Sequence, residues 1–363
     1  MQKNSPKVLL VTVRADLGGG PKHVDILLDK ISYPVYVACP KDEPYYSIWK
    51  NHPKVEGVEV VPHRKLTPEA LLRVAAFCRN KQIDIVHSHG KGAGIYSRLL
   101  KLLVPGLRVI HTYHGVSTTV TGLKRLLYYG VEKALYPLTD RFINVSYGER
   151  DYCVNAGILK PQRSAVIYNG IEPLERIAQP EGAKENTPSF VVATLSRFDH
   201  QKNMQETFAI AKHLREYRQI RFLWIGDGED RVALEQAAQR EGLTNITFAG
   251  FRQDIPKLLS EADVYLTTSR HEGLPFALIE AFSLKIPVVA SDVVGNNEVV
   301  THGVNGFLYP LGSIAEGAGS LLKLMEDQPT YQRFSADAYA SFRLKYSATK
   351  MVREIENIYQ MAI

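Results

Sequence analysis

The chain repeats one pattern along its length: a short β-branched apolar run, then a stretch with helical periodicity. In the first half the runs fall at Val8–Val13, Val35–Ala38, Ile83–His87, Val109–Thr112, Phe142–Val145 and Val166–Tyr168. Helical spacing lies between them, as over 71–80 and 96–103. Runs of this kind predict strands buried on both faces, and intervening helices predict a parallel sheet covered on both sides. The pattern stops over 172–189, where Pro173, Pro180, Gly182 and Pro188 stand among acidic residues, as in a linker. It restarts with strands at Phe190–Leu195, Arg221–Ile225, Ile246–Ala249, Val264–Thr267 and Val288–Ser291. Helices are expected there over 204–217, 230–241, 255–261 and 274–284. The reading is α/β with two doubly wound, Rossmann-like domains, and 363 residues suit that number. The expected boundaries are a first domain 1–170, a linker 171–189, a second domain 190–345 and a C-terminal helix 346–363. Met351, Ile355, Ile358 and Met361 give that helix an apolar stripe able to pack on either domain, with a return to the first as the working assignment. Open α/β sheets bind ligands beyond the carboxyl ends of their strands, so the loops after strands are where chemistry is expected, lining a cleft between two facing domains.

Several classes of protein are disfavoured. No apolar run has the length of a signal-peptide core or a membrane span. Cys39, Cys78 and Cys153 have neither metal-ligand nor disulfide spacing, which fits a reducing cytoplasm. The formal charge is uneven. Residues 1–170 hold 24 Lys and Arg against 13 Asp and Glu, a net +11, whereas residues 171–363 hold 20 against 25, a net −5. A basic half suits either an anionic partner or simply a solvated surface. The segment 122–136 mixes Lys124, Arg125 and Lys133 with leucines and tyrosines at helical spacing. It reads as a helix for an anionic membrane surface or as an ordinary core-facing helix. No nucleic-acid partner is expected.

Three loops carry the candidate chemistry. Gly18-Gly19-Gly20-Pro21 follows the first strand, and its glycines let backbone approach a ligand. A plain turn is the competing reading, and the spacing is not that of the dinucleotide fingerprint. Ser196-Arg197-Phe198 closes the first strand of the second half, with Lys202-Asn203 just beyond. An Arg fork and a Lys point charge suit a diphosphate, although solvated surface cations are commoner. Ser269 to Pro275 follows another strand and leads to Glu280. Glu272 before the helix and Glu280 within it can accept hydrogen bonds from separate hydroxyls of one ligand. Asp227-Gly228-Glu229-Asp230 superficially resembles a cation site, but its place between strand and helix suits a helix start.

In order along the chain, these motifs resemble glycosyltransferase family 4, the retaining GT-B enzymes. Gly19-Gly20 with His23 is similar to the family's N-terminal glycine loop. Asp84 to Gly90, His114-Gly115 and Asn169-Gly170 resemble its second loop, its active-site histidine and the approach to its hinge. Ser196-Arg197-Phe198, Lys202-Asn203, Gly226-Asp227-Gly228, Gly250-Phe251, Glu272 to Glu280 and Asp292 to Glu298 follow in the family's sequence. The resemblance implies roles. Arg197 and Lys202 hold a donor diphosphate. Glu280 binds ribose, and Glu272 with the backbone segment from Gly273 through Leu274 and Pro275 to Phe276 meets the donor sugar. Phe251 and Arg252 lie near the base, while Gly19 and Gly20 approach the reaction centre. His114 stands near donor sugar and acceptor, with His89 on the acceptor side. Catalysis is expected from His114, Glu272, Arg197 and Lys202. His87 and His111 read as packed histidines, and His89 is open between packing and function. Arg270 and His271 receive no role.

The function so implied is retaining transfer of a hexosyl or N-acetylhexosaminyl group. The donor is a nucleoside-diphosphate sugar, expected to be a UDP-sugar, and the acceptor a glycan or lipid-linked sugar of surface-polysaccharide or lipopolysaccharide synthesis. The resemblance also implies acceptor attack on the leaving-group face. No cofactor and no metal are expected, because Arg197 and Lys202 bring the positive charge a cation would supply. The expected location is cytoplasmic, with a peripheral contact to the inner face of the membrane. A GT-B sugar-nucleotide epimerase and a non-catalytic nucleotide-sugar-binding protein are the alternatives.

Overall fold

The computed structural model describes residues 5–116, 122–177 and 189–363, so positions 178–188 of the expected linker lie outside the described residues. The chain forms two compact units, residues 1–170 with 348–363, and residues 171–347.

In the first unit, β1 (Val8–Thr12), β2 (Val35–Cys39), β3 (Val55–Val60), β4 (Ile85–His89), β5 (Arg108–Thr112), β6 (Arg141–Asn144) and β7 (Ser164–Val166) form one sheet in the order β3-β2-β1-β4-β5-β6-β7. All its pairings are parallel. The helices are α1 (Gly19–Lys30), α2 (Tyr45–Lys50), α3 (Pro68–Lys81), α4 (Lys91–Leu103), α5 (Gly122–Leu135) and α6 (Tyr147–Asn155). β1 is buried along its whole length, as a central parallel strand must be. On one face Val8, Leu10, Val35 and Ile85 pack under Val24, Leu27 and Leu28 of α1. On the other, Leu9, Val11 and Val86 pack under Val74 of α3 and Tyr96 of α4. Thr67 caps α3 by accepting from the Ala70 N–H at 3.2 Å, with Pro68 in the first turn, where no intrahelical N–H bond is lost.

In the second unit, β8 (Phe190–Leu195), β9 (Ile220–Ile225), β10 (Ile246–Gly250), β11 (Val264–Thr267), β12 (Val288–Ser291) and β13 (Gly306–Tyr309) form a sheet in the order β10-β9-β8-β11-β12-β13. It too is parallel throughout. Its helices are α7 (Met204–His213), α8 (Arg231–Arg240), α9 (Ile255–Ser260), α10 (Phe276–Ser283), α11 (Asn296–Val299), α12 (Ile314–Glu326) and α13 (Gln328–Lys345). Ile210 of α7 and Leu321 of α12 pack with Val192, Phe222 and Leu266 of the sheet.

The last helix, α14 (Ala348–Ala362), belongs to the first unit. Met351, Val352, Ile355, Ile358 and Tyr359 are buried there beside Leu27 and Leu28. The Ser32 N–H and Oγ both donate to Glu356 at 2.7 Å. Among the described residues, no helix is long and apolar enough to cross a membrane.

Four sequence expectations are corrected. β3 and β13 were not anticipated: β3 is half-buried and carries Glu56, Gly57 and Glu59, and β13 has four residues. β4 runs two residues later than expected, making His89 the last strand residue rather than a loop residue. Helix α1 starts at Gly19, so Pro21 is its third residue rather than its first; this costs nothing, because first-turn N–H groups have no intrahelical acceptor. Finally, 171–177 is fixed to the second unit: the Leu174 N–H donates to Ser283 Oγ at 2.7 Å and the Ile177 N–H to Ser260 Oγ at 3.1 Å.

Candidate active site

Both sheets reverse strand order at one point, between β1 and β4 and between β8 and β11. A doubly wound sheet opens its ligand crevice there, beyond the strands' carboxyl ends. The glycine, Arg197 and Glu272 loops lie at these points, whereas Phe251 and Arg252 follow β10 at the edge of the second sheet.

In the first unit the switch point gathers histidines. The two-residue period of β4 puts His87 and His89 on one face, with ring centroids 4.1 Å apart, and Ser88 on the other. His87 is fully engaged: Nδ1 meets the Tyr359 hydroxyl at 2.6 Å and Nε2 meets Thr112 Oγ1 at 2.8 Å. His111, on the opposite face, meets Ser88 Oγ at 3.0 Å. Both are therefore packed, hydrogen-bonded residues. His89 Nδ1 faces His114 Nε2 at 3.0 Å. The His23 ring lies 4.6 Å from that of His114 and 5.4 Å from that of His89. Its Nδ1–H donates to Asn169 Oδ1 at 3.0 Å. Burial pushes His23 down to about 4 and holds His87, His89, His111 and His114 well below the ordinary histidine value. All five imidazoles are neutral at pH 7.

His114 adopts φ 60°, a left-handed conformation uncommon outside glycine. Its loop is held by Glu149, which accepts from the N–H groups of Gly115 and Val145 and from Asn144 Nδ2. Burial raises the Glu149 pKa, and those donors oppose the shift. Gly20 lies against His114: a Cβ there would meet its Cδ2 at 3.9 Å, in ordinary contact. Gly20 thus brings backbone near the histidine without being sterically required. Sequence reasoning missed Glu149 and Asn169 as supports of the histidines. Ser146-x-x-Glu149 shows the spacing of a capping box, and Ser146 does cap Glu149 N at 3.1 Å. That pattern announces a helix start and gives no hint that the carboxylate holds a loop 34 residues earlier.

In the second unit the charged residues pair with one another. Lys202 Nζ lies 2.6 Å from Glu272 Oε1, with side-chain exposures of 18% and 8%. Two roles read separately from the sequence therefore meet in one ion pair. Arg197 is half exposed and pairs with Asp199 at 3.0 Å. Gln201 Nε2 donates to the His271 carbonyl at 3.1 Å. Arg270, given no role by the sequence, straps the loops after β8 and β11 together: Nε donates to the His200 carbonyl at 3.2 Å and Nη2 to Asn203 Oδ1 at 2.8 Å.

Glycines carry the close approaches. A Cβ on Gly226 would lie 1.9 Å from the Ser196 carbonyl oxygen, and one on Gly228 would lie 2.4 Å from that of Phe198. Bare backbone after β9 thus supports the Arg197 turn. Asp227 accepts from the Gly228 N–H at 2.8 Å and pairs with Arg231, the first residue of α8, at 2.9 Å, while Asp230 precedes that helix without a side-chain capping bond. Glu272 precedes α10, and Glu280 is buried within it. Gly273, Leu274 and Pro275 lead into that helix, which begins at Phe276 rather than at the expected Leu274. Both carboxylates raise the pKa of buried Tyr265, after burial itself, so both act on one region. Phe251 is 51% exposed, and Arg252 forms a two-point pair with Asp254 at 2.7 and 2.8 Å.

One more surface stands out. Helix α5 buries Tyr128 and Glu132. Glu132 pairs with fully buried Arg98 at 2.9 Å and accepts from the Tyr113 hydroxyl at 3.1 Å. The opposite face shows Leu123, Leu126 and Leu127 exposed at 79%, 70% and 68%, flanked by exposed Lys124 and Arg125.

Two family models match. The one described as Glycosyltransferase Family 4 spans residues 28–174, and the one described as Glycosyl transferases group 1 spans 175–341. An Escherichia coli UDP-Gal:alpha-D-GlcNAc-diphosphoundecaprenol alpha-1,3-galactosyltransferase is 28% identical over 308 residues, 80% of this chain and 79% of that protein. The N-acetyl-alpha-D-glucosaminyl L-malate synthase of Bacillus anthracis is 23% identical over 305 residues, 79% of this chain and 77% of that protein. In fold, the Anabaena protein HepE, solved with UDP and glucose, matches with a TM-score of 0.85 at 22% identity, over 98% of this chain and 99% of that one.

Proposed function

Because the chain belongs to the family 4 glycosyltransferases and has their GT-B fold, we propose that it transfers a hexose or N-acetylhexosamine, with retention, from UDP to a glycan or lipid-linked acceptor in surface-polysaccharide or lipopolysaccharide synthesis. The observation that carries this reading is the Lys202–Glu272 pair at the second sheet's switch point. A diphosphate replaces Glu272 as the partner of Lys202. Glu272, released, accepts from donor-sugar hydroxyls, and Glu280 takes the ribose. Departure of UDP builds negative charge on phosphate oxygens, which Arg197, Lys202 and the amides before α10 stabilise in preorganised positions. The acceptor attacks on the leaving-group face, and a departing phosphate oxygen takes its proton. Neutral His114 orients the acceptor hydroxyl or the donor sugar by hydrogen bonding. No metal is needed, since two cationic side chains supply the charge.

UDP fits the printed names of the E. coli relative and of HepE. A lipid-linked acceptor fits the outward face of α5, where exposed leucines beside Lys124 and Arg125 suit an anionic bilayer surface. The test is transfer from UDP-sugars to a diphospholipid-linked sugar, with the anomeric configuration of the product read by NMR. A product of inverted configuration, or turnover of the donor to its epimer without acceptor, overturns the reading.

A further inference from the structure

The histidines of the first unit have a geometry that sugar transfer does not require. One nitrogen from each of His23, His89 and His114 lies within 4.8 Å of the other two. His89 Nδ1 and His114 Nε2 are already 3.0 Å apart. Metal–nitrogen bonds of 2.0–2.1 Å place tetrahedral ligand atoms about 3.4 Å from one another. That pair therefore has the spacing already; one of its nitrogens carries the proton of their hydrogen bond, which must pass to that ring's other nitrogen for both to ligate, and His23 must move in from the wider spacing.

His23 is also prepared electronically. Its Nδ1–H is committed to Asn169 Oδ1 at 3.0 Å, which leaves the lone pair on Nε2. That Nε2 is buried and has no hydrogen-bond partner among the described residues. An outer amide or carboxyl oxygen that fixes the tautomer and orientation of a ligating imidazole is the usual support of a bound metal. Burial keeps all three rings neutral, the form that ligates. The neighbours show that this is selective: His87 has both nitrogens engaged, and His111 lies on the other face of the sheet. Three imidazoles with an open fourth position suit zinc, cobalt or nickel, and do not suit magnesium.

We propose that His23, His89 and His114 form a three-imidazole site for a borderline divalent cation, zinc above all, and that its occupation takes His114 out of the transfer reaction. The blocking half rests on the role given to His114 above; the binding half does not. The ion is an inhibitor here, so metal-free turnover and a metal site coexist.

The experiment titrates cobalt, as a coloured stand-in for zinc, into the untagged full-length protein and reads the visible absorption, then measures zinc affinity by calorimetry. One equivalent giving tetrahedral bands supports the site, as does zinc binding that magnesium does not displace. His89→Gln should abolish the bands. Asn169→Leu, which leaves the three ligands in place, should weaken zinc about 10–100-fold. If a variant fails to fold, NMR of the wild-type protein with isotope-labelled histidine decides, because zinc must shift three imidazole signals together. Absence of binding, or binding unmoved by these substitutions, overturns the site. Zinc that binds at the three imidazoles yet leaves transfer unchanged overturns the blocking half and the role of His114, and leaves the site standing.

Discussion

The two switch points solve the same problem with opposite chemistry. The first unit collects neutral histidines, buried except for partly buried His114, with His23, His87 and His111 oriented by Asn169, Thr112, Ser88 and Tyr359. The second collects charges cancelled by near neighbours, mostly buried Lys202 by Glu272 and half-exposed Arg197 by Asp199. Burial explains the difference. An imidazole can enter a dry site by giving up its proton, whereas Lys and Arg must keep theirs and so bring a carboxylate or stay wet. In the proposed function the first unit would hydrogen-bond uncharged hydroxyls and the second would exchange one anion for another.

The sharpest way to break this contrast is to remove the cations. Arg197→Ala and Lys202→Ala should each lower kcat by about 100–1000-fold, the loss typical of one preorganised donor to a developing oxyanion. The melting temperature of Arg197→Ala should stay nearly unchanged, since that side chain is half exposed, whereas Lys202→Ala leaves Glu272, 8% exposed, without its partner and should lower it. Steady-state kinetics with a UDP-sugar checks this; a near-normal rate would remove the diphosphate role.

Next in size is the acid response. His23 is depressed to about 4 by burial, and His89 and His114 lie well below their ordinary value. Unfolding lets them bind protons, so their contribution is complete above about 6.5 and is lost as pH falls below that, down to about 4 for His23. For His23 alone the loss is of order 3 kcal/mol. The chain has two tryptophans, Trp49 buried in the first unit and Trp224 in the second. Denaturation followed in Trp49→Phe and Trp224→Phe should show the first unit weakening between pH 6.5 and 4 more than the second. Equal weakening would mean that the histidines are not the cause.

Membrane attachment should come third. Each basic residue near an anionic surface contributes about 1 kcal/mol, screened by salt. Co-sedimentation with anionic vesicles should exceed that with neutral ones and fall at high salt. Lys124→Glu with Arg125→Glu should weaken it while UDP binding stays unchanged. Equal sedimentation with both vesicle types would leave the exposed leucines of α5 without a lipid role.

The smaller effects distinguish the carboxylates. Glu280→Gln, which keeps an acceptor oxygen but loses its charge, should weaken bare UDP several-fold, about 1 kcal/mol, the difference between a hydrogen bond to a charged group and one to a neutral group. Glu272→Gln should leave UDP binding unchanged or slightly tighter, because a competitor for Lys202 has gone, while use of the sugar nucleotide suffers. Calorimetry with UDP separates the two, and a reversed order would exchange their roles. Smallest of all, excess chelator should not lower the transfer rate; complete loss restored by magnesium would put a metal into the reaction itself.

Most of the fold was legible because strands buried on both faces write themselves as unbroken apolar runs, as Val8–Thr12 and Val264–Thr267 do. β3 was missed because an edge strand keeps one side in water and tolerates Glu56 and Glu59. Glycine also marked the places where backbone must touch backbone. Gly226 and Gly228 were visible in the sequence, and the 1.9 and 2.4 Å approaches show why they cannot carry a side chain.

The order of motifs along the chain therefore determined the family, the two sheets and the loops on which the chemistry sits. It did not determine which side chains meet. His23 and Asn169 lie 146 residues apart and Lys202 and Glu272 lie 70 apart, and no local periodicity couples such positions. Nor did it decide which way α5 faces. Its apolar stripe reads equally well as core or as surface, and the choice falls to the buried Arg98–Glu132 pair. Two charges withdrawn from water must keep each other, and so they turn the leucines of α5 outward.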